Sequence, residues 1–395
     1  MSATAATAGL RPPDGHEHEP DQRVTPLELF FDLVFVFALT QVTAALAADP
    51  TWEGLARGML VLGTLWWTWV GYAWVTNRLA SDEGLARVAL FAAMAVMLVV
   101  ALAVPGAFGD DAVVFAVGYL LVRQLQTLVL WRAEPDDPQV RAAVGRLAVT
   151  SAVGPLLILG ATALDGTAQG AVWALALVID VSGGWLSTRG GGAWRVHAGH
   201  FAERHALIVI VALGESIVAL GVGAEAAGLD AGTIVAALLG IALVAALWWA
   251  YFDVVAIVAE RRLAQAQGAE RGEMARDSYS YLHFPMIAGI VLLALGVKKT
   301  LGDFDEPLKA MPAACLCGGV ALYHAGHIGF RLRNVRSLSR PRLTAVVALA
   351  VFAPVASEVE ALVALAVVTA IAVAVVTYEA LAYAEARDRV RHALG

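Results

Sequence analysis

Apolar residues run through this chain in long segments separated by short polar connections. That is the pattern of helices that cross a bilayer, not of helices that present one apolar face to a water-soluble core. About twelve such segments can be read, over 27–48, 55–76, 86–104, 112–131, 146–164, 168–186, 205–223, 231–258, 279–297, 311–330, 343–357 and 359–383. A helix rises about 1.5 Å per residue, so roughly 20 apolar residues cross the hydrocarbon layer. The connections alternate in charge. Every second one is basic: Arg78 and Arg87; Arg132, Arg141 and Arg146; Arg189, Arg195 and Arg204; Arg261, Arg262, Arg271 and Arg276; Arg331, Arg333, Arg336, Arg340 and Arg342; and, in the tail, Arg387, Arg389 and Arg391. Those between, such as 49–53, 109–111, 165–169, 225–230 and 357–360, carry acids or no charge, with Arg57, Lys298, Lys299 and Lys309 as exceptions. Basic loops stay in the cytoplasm. The alternation predicts an even number of spans with both termini cytoplasmic.

Composition agrees: 59% of the 395 residues are hydrophobic and 15% charged, too apolar for a soluble chain. The net charge of −7 is divided across a membrane and says little about partners. Residues 1–24 read as a polar, disordered cytoplasmic tail, because the run behind them is too long for a signal-peptide core. The His-Glu-His-Glu run at 16–19 belongs to that tail and reads as solvated rather than metal-bound. Cys315 and Cys317, two apart in one helix, face different ways and imply no disulfide.

The chain also repeats itself. Residues 88–104 overlay 281–297, Trp66-Trp67 overlay Trp248-Trp249, and Gly118, Arg123, Gln126 and Arg132 fall on Gly319, His324, His327 and Arg333. Six spans per half is an even number, which predicts two parallel six-helix halves, 25–186 and 203–386, related by an axis along the membrane normal. The Gly-rich segment 187–202 reads as a flexible linker between them, and 387–395 as a basic tail. The fifth span of each half contains a proline, Pro155 or Pro354; interrupted helices at corresponding places point to a transport site, although packed neighbours can also tolerate them.

Ionisable groups at bilayer depth are costly and need a partner, water or a function. Glu28 and Asp32 share one face at the cytoplasmic end of the first span and read either as a cytoplasmic mouth or as an anchor for a neighbouring arginine. Arg204 and Glu215 lie on nearly one face of the seventh span but about 16 Å apart along its axis, so Glu215 sits near mid-membrane without a local partner. That makes Glu215 the leading protonatable group, with a neutral, hydrogen-bonded carboxyl as the alternative. Asp180, Asp253 and His283 fall toward the cytoplasmic side. His324 and His327 share a face, and Arg123 occupies the overlaid position on the fourth span. If the repeat holds, Arg123, His324 and His327 approach the axis between the halves, where Glu215 or Asp180 could neutralise Arg123. Glu203 and Arg204 join Glu28 and Asp32 at the mouth. No metal site is expected: His197, His200, Glu203 and His205 are dense but lack HExxH spacing. The phosphate-binding GxxxxGK[ST] loop, a mid-helix lysine for a retinal Schiff base, and a DDxxD-type acid cluster are all missing from the sequence, and no cofactor is implied.

At Arg23–Gln41 (RVTPLELFFDLVFVFALTQ) and His200–Gly221 (HFAERHALIVIVALGESIVALG) the chain resembles the bacterial low temperature requirement protein A family (LtrA). Trp66–Arg78 and Tyr279–Lys298 followed by His327-Ile328-Gly329 look like it as well. The resemblance implies a polytopic bacterial inner-membrane protein tied to growth at low temperature, with no established biochemical activity. Glu28, Asp32, Glu203, Arg204, Glu215 and Ser216 coincide with its motifs. The expected activity is a proton-coupled secondary transporter with its site between the halves. The other readings are an intramembrane enzyme acting on a lipid or isoprenoid, its chamber walled by Phe30, Phe31, Phe35, Phe37, Trp66, Trp67, Trp69, Trp248 and Trp249, and a non-catalytic scaffold or sensor. Expected partners are the lipid bilayer, a small-molecule or ion substrate and, as an option, a second copy of the chain, but no nucleic acid.

Overall fold

Helices account for nearly all of the computed structural model, which describes residues 23–79, 84–133, 137–188 and 194–392. Most of the expected disordered tail, Gly190–Gly192 of the expected linker and the last three residues lie outside that range. The helices are α1 (Pro26–Ala48), α2 (Trp52–Thr76), α3 (Gly84–Leu102), α4 (Ala112–Ala133), α5 (Pro138–Ala161), α6 (Gly166–Thr188), α7 (Ala198–Ala227), α8 (Ala231–Phe252), α9 (Val255–Gln265), α10 (Gly268–Met274), α11 (His283–Gly302), α12 (Ala310–Val335), α13 (Arg340–Phe352), α14 (Ala361–Ala382) and α15 (Ala384–His392). A π-helical turn, Ala275–Tyr281, joins α10 to α11.

Among the described residues nine helical stretches are long and apolar enough to cross a membrane: α1, α4, α5, α6, α7, α12, α14, Ala231–Gln265 and Gly268–Gly302. The protein is a polytopic membrane protein. Of the remaining expected spans, Ala86–Leu102 forms a shorter apolar helix, and α13 has 13 residues. Helix α2 is long but rich in Trp, Gly and Thr, and nearly every residue from Val61 to Thr76 is buried. Wrapped by protein, it gains nothing from lipid solubility and can carry polar groups. Lipid-facing apolar side chains such as Phe91, Leu98, Leu175, Val178, Leu238, Val347 and Leu381 stand exposed on the outer helices. The aromatic wall expected from sequence divides accordingly: Phe31, Phe35, Trp66, Trp67 and Trp69 are buried, whereas Phe30, Trp248 and Trp249 are exposed.

Neighbour relations follow a simple order. Helix α3 packs on α1 and α4, α4 on α5, and α5 on α6; α11 packs on α7 and α12, α12 on α13, and α14 on α8. A close backbone approach joins α11 to α12, where a Cβ on Gly289 would lie 2.5 Å from the Gly319 carbonyl oxygen. Small residues permit such contact between membrane helices, whose association rests on van der Waals packing rather than on expulsion of water.

One expectation needs correction. Pro155 lies inside α5, but Pro354 does not interrupt a helix: α13 has ended at Phe352, and a 3-10 turn follows at Val355–Ser357. In the described part of the linker, buried Trp194 donates its indole N–H to the Ser187 carbonyl at 3.1 Å. The span expected over 231–258 falls in the stretch Ala231–Gln265, within which α8 ends at Phe252 and α9 starts at Val255.

Candidate functional site

Where α1, α2 and α7 meet, the polar side chains close on one another. Thr25 and Glu28 form a reciprocal capping box that starts α1 after its N-cap, with Pro26 in the first turn. Arg204 donates from Nη1 to Asp32 Oδ2 at 3.0 Å and to the Glu28 carbonyl at 3.0 Å. Trp69 donates to the other Asp32 oxygen at 2.9 Å, and the Arg204 guanidinium lies 5.6 Å from the Trp69 ring centre. His200 is fixed in one tautomer: the Asn77 amide nitrogen, which can only donate, approaches its Nδ1 at 3.0 Å, so Nε2 carries the proton and donates to Glu28 at 3.0 Å. Glu28, Asp32, His200 and Arg204 are all buried.

A second cluster joins α4 to α6. Arg123 donates to both Asp180 oxygens, at 3.1 and 2.6 Å, in the bidentate geometry that suits guanidinium and carboxylate. Tyr119 and Gln126 complete the shell of close contacts. Gly154, the neighbour of Pro155, lets α6 come close here, since a Cβ would lie 2.8 Å from Asp180 Cβ. Beside the pair is a cavity of only about 40 Å³, lined by Trp67, Gly71, Trp74, Gln126, Leu130 and Arg276 among others.

The third cluster spans α8, α11, α12, α13 and α14. Arg342 forms a bidentate pair with Glu379 at 3.0 and 2.9 Å, donates to the Ala250 carbonyl at 2.9 Å, and donates from Nη1 to His327 Nδ1 at 2.5 Å. A guanidinium has no acceptor. His327 Nδ1 must therefore be bare and Nε2 protonated, and that N–H has no hydrogen-bond partner among the described residues. Behind His327 lies Tyr251, whose hydroxyl is 2.8 Å from His283 Nε2. His283 Nδ1 is 3.0 Å from the Ser278 carbonyl in the π-turn, so Nδ1 donates there and Nε2 accepts from Tyr251. His205 stands 5.2 Å from His283, ring centre to ring centre, and 5.0 Å from Trp69. A line of buried rings thus connects the first cluster to the third. The third also opens on a cavity of about 270 Å³, lined by Trp249, Asp253, His327, Arg331, Arg342 and Glu379, with Arg387 of α15 at its rim paired to Asp253.

The family model for the bacterial low temperature requirement A protein (LtrA) matches residues 23–377. The chain belongs to the LtrA family. An uncharacterized protein of Rhizobium meliloti (strain 1021) is 28% identical over 320 residues, 79% of this chain and 78% of that one. No solved structure matches.

In this LtrA-family protein, the residues singled out from sequence are distributed over separate clusters rather than gathered in one cavity between halves. Arg123 takes Asp180, one of its two expected counter-ions, and no hydrogen bond or ion pair joins it to Glu215, His324 or His327 among the described residues. Glu215 is buried and accepts from the Thr40 hydroxyl of α1 at 2.5 Å, so it has a partner after all, supplied by another helix. Glu28 and Asp32 do not line an open mouth: Arg204, Trp69 and His200 consume their oxygens in a buried network. Glu203, at the exposed end, accepts the Val24 backbone N–H at 3.1 Å. His324 is buried beside Tyr323 with neither ring nitrogen bonded. Sequence reading gave no role in a polar cluster to Trp69, Asn77, Tyr251, Arg342 or Glu379. Glu379 had one usable signal, being an acid on the last long span where Asp180 is the acid on the sixth.

Proposed function

We propose that the protein is a proton-coupled secondary transporter of the bacterial cytoplasmic membrane, with its substrate site in the α8–α12–α14 cavity at the arginine-rich end. The observation that carries this reading is that open cavity among membrane helices, with a buried Arg342–Glu379 pair and the protonatable His327 on its inner wall. A proton taken by Glu379 cancels the ion pair. A proton placed on His327 Nδ1 needs the position that Arg342 occupies. Either event changes charge and geometry together, as coupling between proton and substrate requires.

The wider architecture we infer is two parallel six-helix halves, about twelve spans in all, with both termini cytoplasmic. Helix neighbours correspond in this scheme: α1–α3–α4–α5–α6 along one half, α7–α11–α12–α13–α14 along the other. Each half carries its buried ion pair on an acid of its sixth long helix, Asp180 or Glu379. Overlaid residues also line the two cavities in parallel, Trp67 with Trp249 and Gln126 with His327. Glu215, which accepts from the Thr40 hydroxyl, is a second candidate proton carrier.

The test is flux in proteoliposomes under an imposed pH gradient, over a panel of ions and small metabolites. Wild type should show gradient-driven flux that E379Q abolishes, and E215Q reports separately on the second carrier. Flux indifferent to both substitutions would remove the assignment. The cavity's apolar walls, Val255, Val258 and Phe330, favour one other reading, an enzyme acting on a lipid; a co-purified lipid chemically altered on incubation, with no flux, would support that instead.

A further inference from the structure

From the asymmetry of the two cavities we propose that the α8–α12–α14 cavity binds an amphiphilic monoanion, with His327 and Arg331 as its anion-recognising groups. This rests on the reading of that cavity as the substrate site and names the substrate class.

In the register that sets Trp67 on Trp249, Gly71 falls on Asp253; in the register that sets Gln126 on His327, Leu130 falls on Arg331. All of these residues line their respective cavities. The smaller cavity therefore carries Gly, Gln and Leu where the larger carries Asp, His and Arg. The smaller is also filled: a Cβ on Gly71 would lie 2.3 Å from the Gln126 amide nitrogen, so the Gln126 side chain occupies the room that Gly71 leaves. The larger retains its space and has gained ionisable groups, as a ligand site would.

The charges in the larger cavity favour an anion. Its lining includes three arginines (Arg331, Arg342 and Arg387) against two carboxylates (Asp253 and Glu379). Arg342 is committed to Glu379, and Arg387 to Asp253. Arg331 bonds only the Ser337 hydroxyl, at 2.8 Å, and has no acid partner among the described residues. The buried Nε2–H of His327 is a donor without an acceptor among the described residues. A monoanion would satisfy both donors and cancel the surplus positive charge; a cation would satisfy neither. The rest of the wall, including Trp249, Val254, Val255, Val258 and Phe330, is apolar and calls for a hydrocarbon body behind the charge. The shared chemistry is that of a soluble organic acid or of an anionic lipid.

Calorimetric titration of the purified full chain separates these sources. The probes are hexanoate and benzoate, hexylammonium and hexanol as charge controls, and phosphatidylglycerol against phosphatidylcholine in nanodiscs. We expect saturable binding of the carboxylates, or of phosphatidylglycerol alone if the natural ligand is a lipid, and none of the controls. The substitutions H327Q and R331L place the smaller cavity's own residues in the larger one. Each should weaken binding by about tenfold, the loss of one charge-assisted hydrogen bond. Gln126 and Leu130 already serve in a folded counterpart, so a circular-dichroism melt close to wild type should accompany the loss. Binding of hexylammonium or hexanol as tight as hexanoate, no binding of any anion, or full anion affinity in the H327Q/R331L double variant would overturn the proposal. Anion binding without proteoliposome flux would leave the site standing and remove the transporter; flux of a cation without anion binding would do the reverse.

Discussion

The Arg123–Asp180 and Arg342–Glu379 pairs are built alike and situated differently. Both are bidentate, both involve an acid on a long helix late in its half, and both adjoin a cavity. Arg123 and Asp180 are each 1% exposed, hemmed in by Tyr119 and Gln126, with about 40 Å³ beside them. Arg342 and Glu379 are 6% and 11% exposed and face about 270 Å³, and Arg342 also bonds His327. A buried pair whose every donor and acceptor is met locks helices together. The same pair next to open space can be hydrated, protonated or displaced. The difference teaches that the room around one chemical motif decides whether it is held fixed or left free to respond.

The largest effect should come from breaking the enclosed pair. D180A leaves Arg123 charged and buried without compensation and should cost about 3–5 kcal/mol, whereas E379A, whose arginine can take water from the cavity, should cost about 1–3 kcal/mol. Thermal or denaturant unfolding of both variants in one detergent measures the gap; equal losses would erase the distinction. Next in size is G71A, which must push the Gln126 side chain from its place and should cost about 1–3 kcal/mol. Its overlaid counterpart D253A acts at a cavity rim and should cost under about 1 kcal/mol. A control outside both regions should give a change of similar size. T25A removes the capping box of α1 and should lower stability by about 1 kcal/mol, read from the same melts, while ligand binding to the larger cavity stays unchanged.

The membrane class and the helix positions were legible because apolar length and basic loops are local signals. The centre of the site was not, for identifiable reasons. Arg342 lies just past the start of α13 in an arginine-rich loop, so by sequence it counts as a topology signal rather than as a partner. Glu379, 37 residues further on, sits three residues from the end of α14, where an acid reads as interfacial. Only the approach of α13 to α14 joins them. The partner of Glu215 was hidden for the same reason, since Thr40 is 175 residues away and the hydrogen bond exists only because α1 and α7 pack together. Arg123 and Asp180 were closer to hand, being ionisable groups only two spans apart with few other partners to choose. The π-turn that receives Trp66, Trp74 and His283 has no sequence mark beyond its run of Ser and Tyr.

The most direct test compares gradient-driven flux in proteoliposomes for wild type, E379Q and the double variant R123M/D180L, which replaces the enclosed pair with apolar residues of similar bulk. The account predicts flux in wild type, flux retained within about twofold in R123M/D180L, since such replacements can be close to neutral, and none in E379Q. Flux that survives E379Q but fails in R123M/D180L would place the working site in the other cavity and contradict it.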